Sequence, residues 1–143
     1  MFTSYFANQK NILAPLVPVA ICASPPHWFT GPNFTPLAPT LDILMAYKKH
    51  EIDDAQYVVR YQAEVLGKLD PQEVFDKLTA EYGPDVTLLC YEKPGDFCHR
   101  RLVAGWFESN LGIQVPELPS VKDIKATKPA KPTTPPAQGS LFD

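Results

Sequence analysis

The sequence predicts an α/β domain, a small layered fold with a mainly parallel sheet flanked by helices. Two apolar runs, Leu16–Ala23 and Val86–Tyr91, have the length and β-branched content of buried strands. Segments with apolar residues at spacing three and four lie between and after them. Buried strands interleaved with amphipathic helices favour parallel pairing, because a parallel sheet needs cover on both faces.

Taken in order, Phe2–Phe6 alternates aromatic and small polar residues and suits a first strand. Leu16–Ala23 follows, with Pro18 near its start. The stretch from Ser24 to Pro39, SPPHWFTGPNFTPLAP, is a long irregular loop, and such loops in compact domains are often functional. Thr40 can cap a short helix carrying Leu41, Leu44 and Met45. Asp53 or Asp54 can cap the next, whose expected stripe is Val58, Val59, Gln62, Val65, Leu66 and Leu69. Asp70-Pro-Gln-Glu73 is a clear helix start, with a capping Asp and Pro in the first turn. Val74, Phe75 and Leu78 should face inward from it, and Gly83-Pro-Asp should end it. The final helix carries Leu102, Val103, Trp106, Phe107 and Leu111, with Gly112 as a left-handed cap. Ile113–Val115 is expected as a short edge strand.

Composition narrows the classes of function. The 143 residues hold 13 positive and 16 negative side chains, a net charge of −3, with 45% hydrophobic residues. That balance is wrong for a basic protein that coats nucleic acid, and also for a disordered chain. No apolar run reaches the ~18–20 residues of a membrane span, and the start lacks a secretory pattern. Three cysteines are too few for a disulfide framework, so free thiols in a reducing cytoplasm are expected. One surface disulfide with a leftover thiol is the alternative.

The 16 prolines cluster, with six from Pro116 onward. Three segments follow from this: a folded domain over 1–116, a disordered linker rich in Pro, Lys and Thr over 117–137, and a short linear motif over 138–143.

Chemistry concentrates in Cys90-Tyr-Glu-Lys-Pro-Gly-Asp-Phe-Cys98-His99-Arg100-Arg101. This reads as strand, loop and helix, with the loop at the carboxyl end of the strand, where ligands bind in open α/β sheets. A helix N-terminus attracts anions, and a thiol placed there is activated. Cys98, His99 and Arg100 are therefore the catalytic candidates: a nucleophile, its assistant and an anion clamp. Cys90, Glu92, Lys93 and Arg101 are candidate ligand-binding residues around them. Helical phase turns Cys98 and His99 toward the core, Arg101 toward solvent, and Arg100 between. If the two apolar strands are parallel, Cys22 reaches the same edge as Cys90. His27 and Trp28 could form a lid. The ligand class is a nucleotide or another phosphate-bearing molecule.

Purely structural roles and binding without chemistry remain open for this segment. So does zinc on Cys22, Cys90, Cys98 and His99. Against zinc, C-x7-C-H lacks finger spacing and adjacent Cys-His pairs rarely ligate one ion. No metal and no cofactor are therefore assigned.

The start TSYFA, the loop PPHWF, LAPTLDIL with YKK, YVVRYQAEVLGKLDP and above all LLCYEKPGDFCHRRLVAGWF resemble the bacterial and phage domain-of-unknown-function family 488. The resemblance covers most of residues 1–116. It implies a small α/β domain with the Cys-His-Arg segment as its hallmark, and it supplies no reaction.

Gln138-Gly-Ser-Leu-Phe142 resembles the pentapeptide with which bacterial proteins bind the DNA sliding clamp, with Gly139 departing from the preferred Leu. Leu141 and Phe142 would fill an apolar pocket, Gln138 would bond at its rim, and Ser140 would bridge them on a flexible tether. The expectation that follows is an accessory protein of DNA replication or repair, with the sliding clamp as partner and no membrane. The alternatives are a clamp-binding adaptor or inhibitor without catalysis, and a cysteine-dependent enzyme on a small phosphorylated metabolite.

Overall fold

The computed structural model describes residues 1–92 and 97–120. Within them lie three strands, β1 (Phe2–Tyr5), β2 (Val17–Ala20) and β3 (Val86–Cys90), paired in the order β1-β3-β2 with both ladders parallel. Register sets Tyr5 beside Cys90 and Ala20 beside Leu89, so all three strands end at one edge.

Side chains alternate across a strand, and the sheet therefore faces two ways. Val19, Ile21, Val86 and Leu88 enter the larger core, with Tyr61, Leu78, Val103 and Phe107 from the helices. Ala20, Cys22 and Leu89 turn the other way, onto Phe6, Ile12 and Phe29. A 3-10 segment, Phe6–Asn11, begins that second cover.

Three of the four α-helices among the described residues start where side-chain caps satisfy free N–H groups. In α1 (Leu41–Lys48) Thr40 accepts from the Ile43 amide. In α2 (Asp54–Glu64) Asp53 and Gln56 form a reciprocal capping box. In α3 (Pro71–Tyr82) Asp70 accepts from the Gln72 and Glu73 amides. Helix α4 (His99–Leu111) begins after Cys98 and ends at Gly112, whose φ of 68° needs glycine's freedom.

Three expectations are corrected. The inward face of α2 is Tyr57 and Tyr61 with Val65 beyond its end, while Val59 is 66% exposed. A tyrosine buries more area than a valine, and the Tyr61 hydroxyl has a buried acceptor in the Leu37 carbonyl at 2.5 Å. In α1 the buried residue is Ile43, and Leu41 and Met45 face solvent. The expected edge strand at 113–115 is replaced by a pairing two residues on, where Thr3 bonds the Pro116 carbonyl and the Leu118 amide.

That pairing carries the packed chain past Pro116 to Ser120. Asn8 donates to the Pro119 carbonyl, and Ser120 is buried. Glu117 takes two bonds from Arg100, Nε at 3.0 Å and Nη2 at 2.9 Å, and one from Thr3 Oγ1 at 2.6 Å. The folded unit is thus longer than the composition break at Pro116 suggests. Residues 121–143, with most of the linker and the clamp-like motif Gln138, Ser140, Leu141 and Phe142, lie outside the described residues, as does Lys93.

Removing one partner of a buried ion pair leaves the other charge uncompensated. Glu117→Ala should therefore cost about 3–5 kcal/mol. Urea unfolding of the full chain measures this; an unchanged midpoint would show that Arg100 does not depend on Glu117.

Candidate functional site

The carboxyl edge of the sheet opens into a cleft of about 470 Å³. Cys22 lies just past β2, Cys90 ends β3, and Cys98 and His99 begin α4, and all four line it. Parallel pairing is what brings these chain ends together. Tyr47, Tyr57 and Phe97 form an aromatic wall with ring centroids 4.9–5.5 Å apart. Glu92 and Lys48 also line the cleft with opposite charges.

The sulfur atoms of Cys90 and Cys98 are bonded to each other, and Cys22 is a free, buried thiol. The two bonded residues stand 7.2 Å apart at Cα. This departs from the expectation of three free thiols, and it is not the surface disulfide of the alternative, because both bonded cysteines are buried. Burial pushes the Cys22 thiol up to about 11, so it stays protonated near neutrality.

His99 is buried and fixed at one nitrogen. Nε2 sits 2.5 Å from the Ile21 carbonyl. A carbonyl only accepts, so Nε2 carries the proton and Nδ1 keeps its lone pair. Nδ1 faces the Cys98 sulfur at 4.0 Å. Tyr61 packs edge-on against the ring. Burial, aided by the Arg100 charge, holds His99 down at about 4 despite the bond to Ile21. The imidazole is therefore neutral at physiological pH.

Arg100 points inward. It is 1% exposed, and Nε, Nη1 and Nη2 are all engaged. Nη1 donates to the Cys90 sulfur at 3.3 Å and to the Glu92 carbonyl. The guanidinium also stacks 5.7 Å from the Tyr5 ring centroid. Arg100 thus turns its positive charge onto Cys90 from behind, and the anion clamp expected of it is not built. Helical phase alone placed it too near solvent, because its carboxylate partner is 17 residues away. Arg101 lies outside the cleft and ties Thr3 Oγ1 to the Val115 carbonyl.

His27 and Trp28 are not among the residues lining the cleft. His27 is exposed, and Trp28 stands edge-on to Phe6 beside a separate hollow. Sequence reasoning gave no role to Tyr47, Tyr57 and Phe97, and missed Glu117 altogether.

The family model described as the active DUF488-N3 subclade (DUF488-N3a) matches residues 29–111. The chain belongs to the DUF488 family. The match includes Cys90, Cys98, His99 and Arg100 of this DUF488 protein, but ends before Glu117 and begins after Cys22. Neither the curated proteins nor the solved structures include a match.

The state of His99 sets an acid response. Its folded pKa of about 4 lies below the ordinary 6.5, so between these values the unfolded chain binds more protons. Its contribution to stability is complete above about pH 6.5 and is lost as pH falls toward 4. Urea unfolding at about pH 7 and about pH 4.5 should show a loss on the order of 2–3 kcal/mol that His99→Gln lacks. Equal losses in both proteins would mean that the ring is protonated in the fold.

Proposed function

We propose that this DUF488 protein is a cysteine-dependent enzyme of a reducing, cytoplasmic compartment. Cys90 and Cys98 do the chemistry, and a small ring-bearing ligand of the nucleotide class occupies the cleft. The observation that supports this reading is the meeting of the two sulfurs at the floor of an open cleft. One has a guanidinium behind it and the other a neutral imidazole beside it.

Each partner has a role. Arg100 favours the anionic form of the Cys90 sulfur by a charge-assisted contact. His99 Nδ1 is placed to take the proton of Cys98. In the reduced enzyme the Cys90 thiolate attacks an electrophilic atom of the substrate, and the leaving group departs with the bonding electrons. The Cys98 sulfur gives its proton to His99 and displaces the substrate fragment from Cys90. The fragment takes up the proton, the disulfide closes, and the substrate has gained two electrons. A small thiol reductant then restores both cysteines. The aromatic wall of Tyr47, Tyr57 and Phe97 suits a planar ring.

Iodoacetamide alkylation of the reduced full chain across pH tests this. Cys90 should react at neutral pH about tenfold faster than Cys22, whose thiol, pushed up to about 11, serves as the internal reference. Equally slow reaction of all three cysteines would reduce the segment to a structural one.

The second reading comes from the tail. Gln138-Gly-Ser-Leu-Phe142 favours recruitment to the bacterial sliding clamp, which would make the enzyme an accessory of DNA replication or repair. A peptide of residues 134–143 should bind a bacterial clamp, and Leu141→Ala with Phe142→Ala should abolish binding. Equal weak binding by both peptides removes the clamp from the account. Clamp binding by a chain with inert thiols would leave a non-catalytic adaptor.

A further inference from the structure

We infer that, in the reduced protein, Cys90, Cys98 and His99 form a site for one soft divalent cation of the zinc class, with a fourth position open to the cleft. The inference concerns the same thiol pair but does not require that the pair be catalytic.

One donor atom from each of the three residues lies within 4.8 Å of the others, and all three residues are buried. Two sulfurs and an imidazole nitrogen are the donor set that zinc prefers. With Zn–S about 2.3 Å and Zn–N about 2.0–2.1 Å, a tetrahedral ion needs S···N of roughly 3.6 Å. The Cys98 sulfur and His99 Nδ1 stand at 4.0 Å, within a small side-chain adjustment of that value. The Cα atoms of Cys90 and Cys98 are 7.2 Å apart, wider than the ~4.4–6.8 Å of ordinary disulfide pairs, which gives two reduced sulfurs room to flank an ion.

Adjacent ligands at 98 and 99 look unfavourable from sequence alone. The backbone removes the difficulty. Cys98 is extended, with φ −153° and ψ 142°, while His99 is the first helical residue. The change of direction between them turns both side chains to one side, and the short S···N distance is the result.

The surrounding contacts are those of a supported metal site. The Ile21 carbonyl holds Nε2–H, fixes the tautomer and leaves Nδ1 as the ligand atom. Arg100 contacts the Cys90 sulfur from behind, and Glu117 balances its charge. Two thiolates neutralise a divalent ion, so the buried site carries no net charge. The mouth of the cleft leaves space for a water or a ligand atom at the fourth position.

Cobalt(II) is the probe. The reduced, chelator-stripped full chain is titrated anaerobically. A thiolate-to-cobalt charge-transfer band in the near ultraviolet and strong visible absorption should saturate at one equivalent. Cys98→Ser and His99→Gln should each weaken the spectrum, and Cys22→Ser should leave it unchanged. Should a variant fail to fold by circular dichroism, the unmodified chain still decides the matter. One equivalent of zinc(II) should slow alkylation of Cys90 and Cys98 about tenfold, reversibly on chelation. Absence of the near-ultraviolet band, or a band that survives Cys98→Ser in a folded variant, overturns the site. Fast alkylation without a cobalt band would refute the cation site and leave the enzyme reading standing. A cobalt band on thiols that alkylate slowly even without metal would do the reverse.

Discussion

A guanidinium cannot be buried alone, and the arrangement around Arg100 follows from that constraint. Its 1% exposure requires a carboxylate, and Glu117 supplies one through two bonds. To reach it, the chain leaves α4, passes Gly112 and lays residues 116–118 along β1 through the two backbone bonds of Thr3. Thr3 and Arg101 join the same network. With Arg100 fixed at one end, its other nitrogen is held on the Cys90 sulfur. The electrostatics of the thiol pair therefore depend on a segment that touches neither cysteine.

Much of the fold was legible because its signals are local. Leu16–Ala23 and Val86–Tyr91 contain β2 and β3, and Asp70-Pro71 and Gly112 mark helix ends by stereochemistry that acts within a few residues. The inward face of α2 was misread because tyrosine counts as apolar or polar according to what its hydroxyl meets. For Tyr61 that is the carbonyl of Leu37, 24 residues away. The end of the packed chain was misplaced for a similar reason. Glu117 stands among prolines and lysines, and its partners Thr3 and Arg100 are 114 and 17 residues distant.

The candidate site divides along the same line. That Cys22, Cys90 and Cys98 approach one another could be argued from parallel strands ending at a common edge. That Arg100 faces backward could not, since its direction is set by Glu117 and by the Glu92 carbonyl. His27 and Trp28 were drawn into the site because their loop is long, yet the loop buries Phe29 and Phe34 and presents Trp28 elsewhere. Loop length signals that a segment has a role; only packing says which side chain faces the cleft.

These dependencies define the working unit. The family match over 29–111 holds both bonded cysteines, His99 and Arg100, but not what orients them. The Ile21 carbonyl that fixes the imidazole, the Cys22 thiol on the cleft wall and the Glu117 carboxylate all lie outside it. A fragment cut to the match would keep Cys90, Cys98, His99 and Arg100, lose β1 and β2, and leave Arg100 without its carboxylate. His99 would lose the acceptor that decides which nitrogen bears its proton. The Cys-His-Arg segment carries the candidate groups, but their charge state and direction belong to residues 1–120 as a whole.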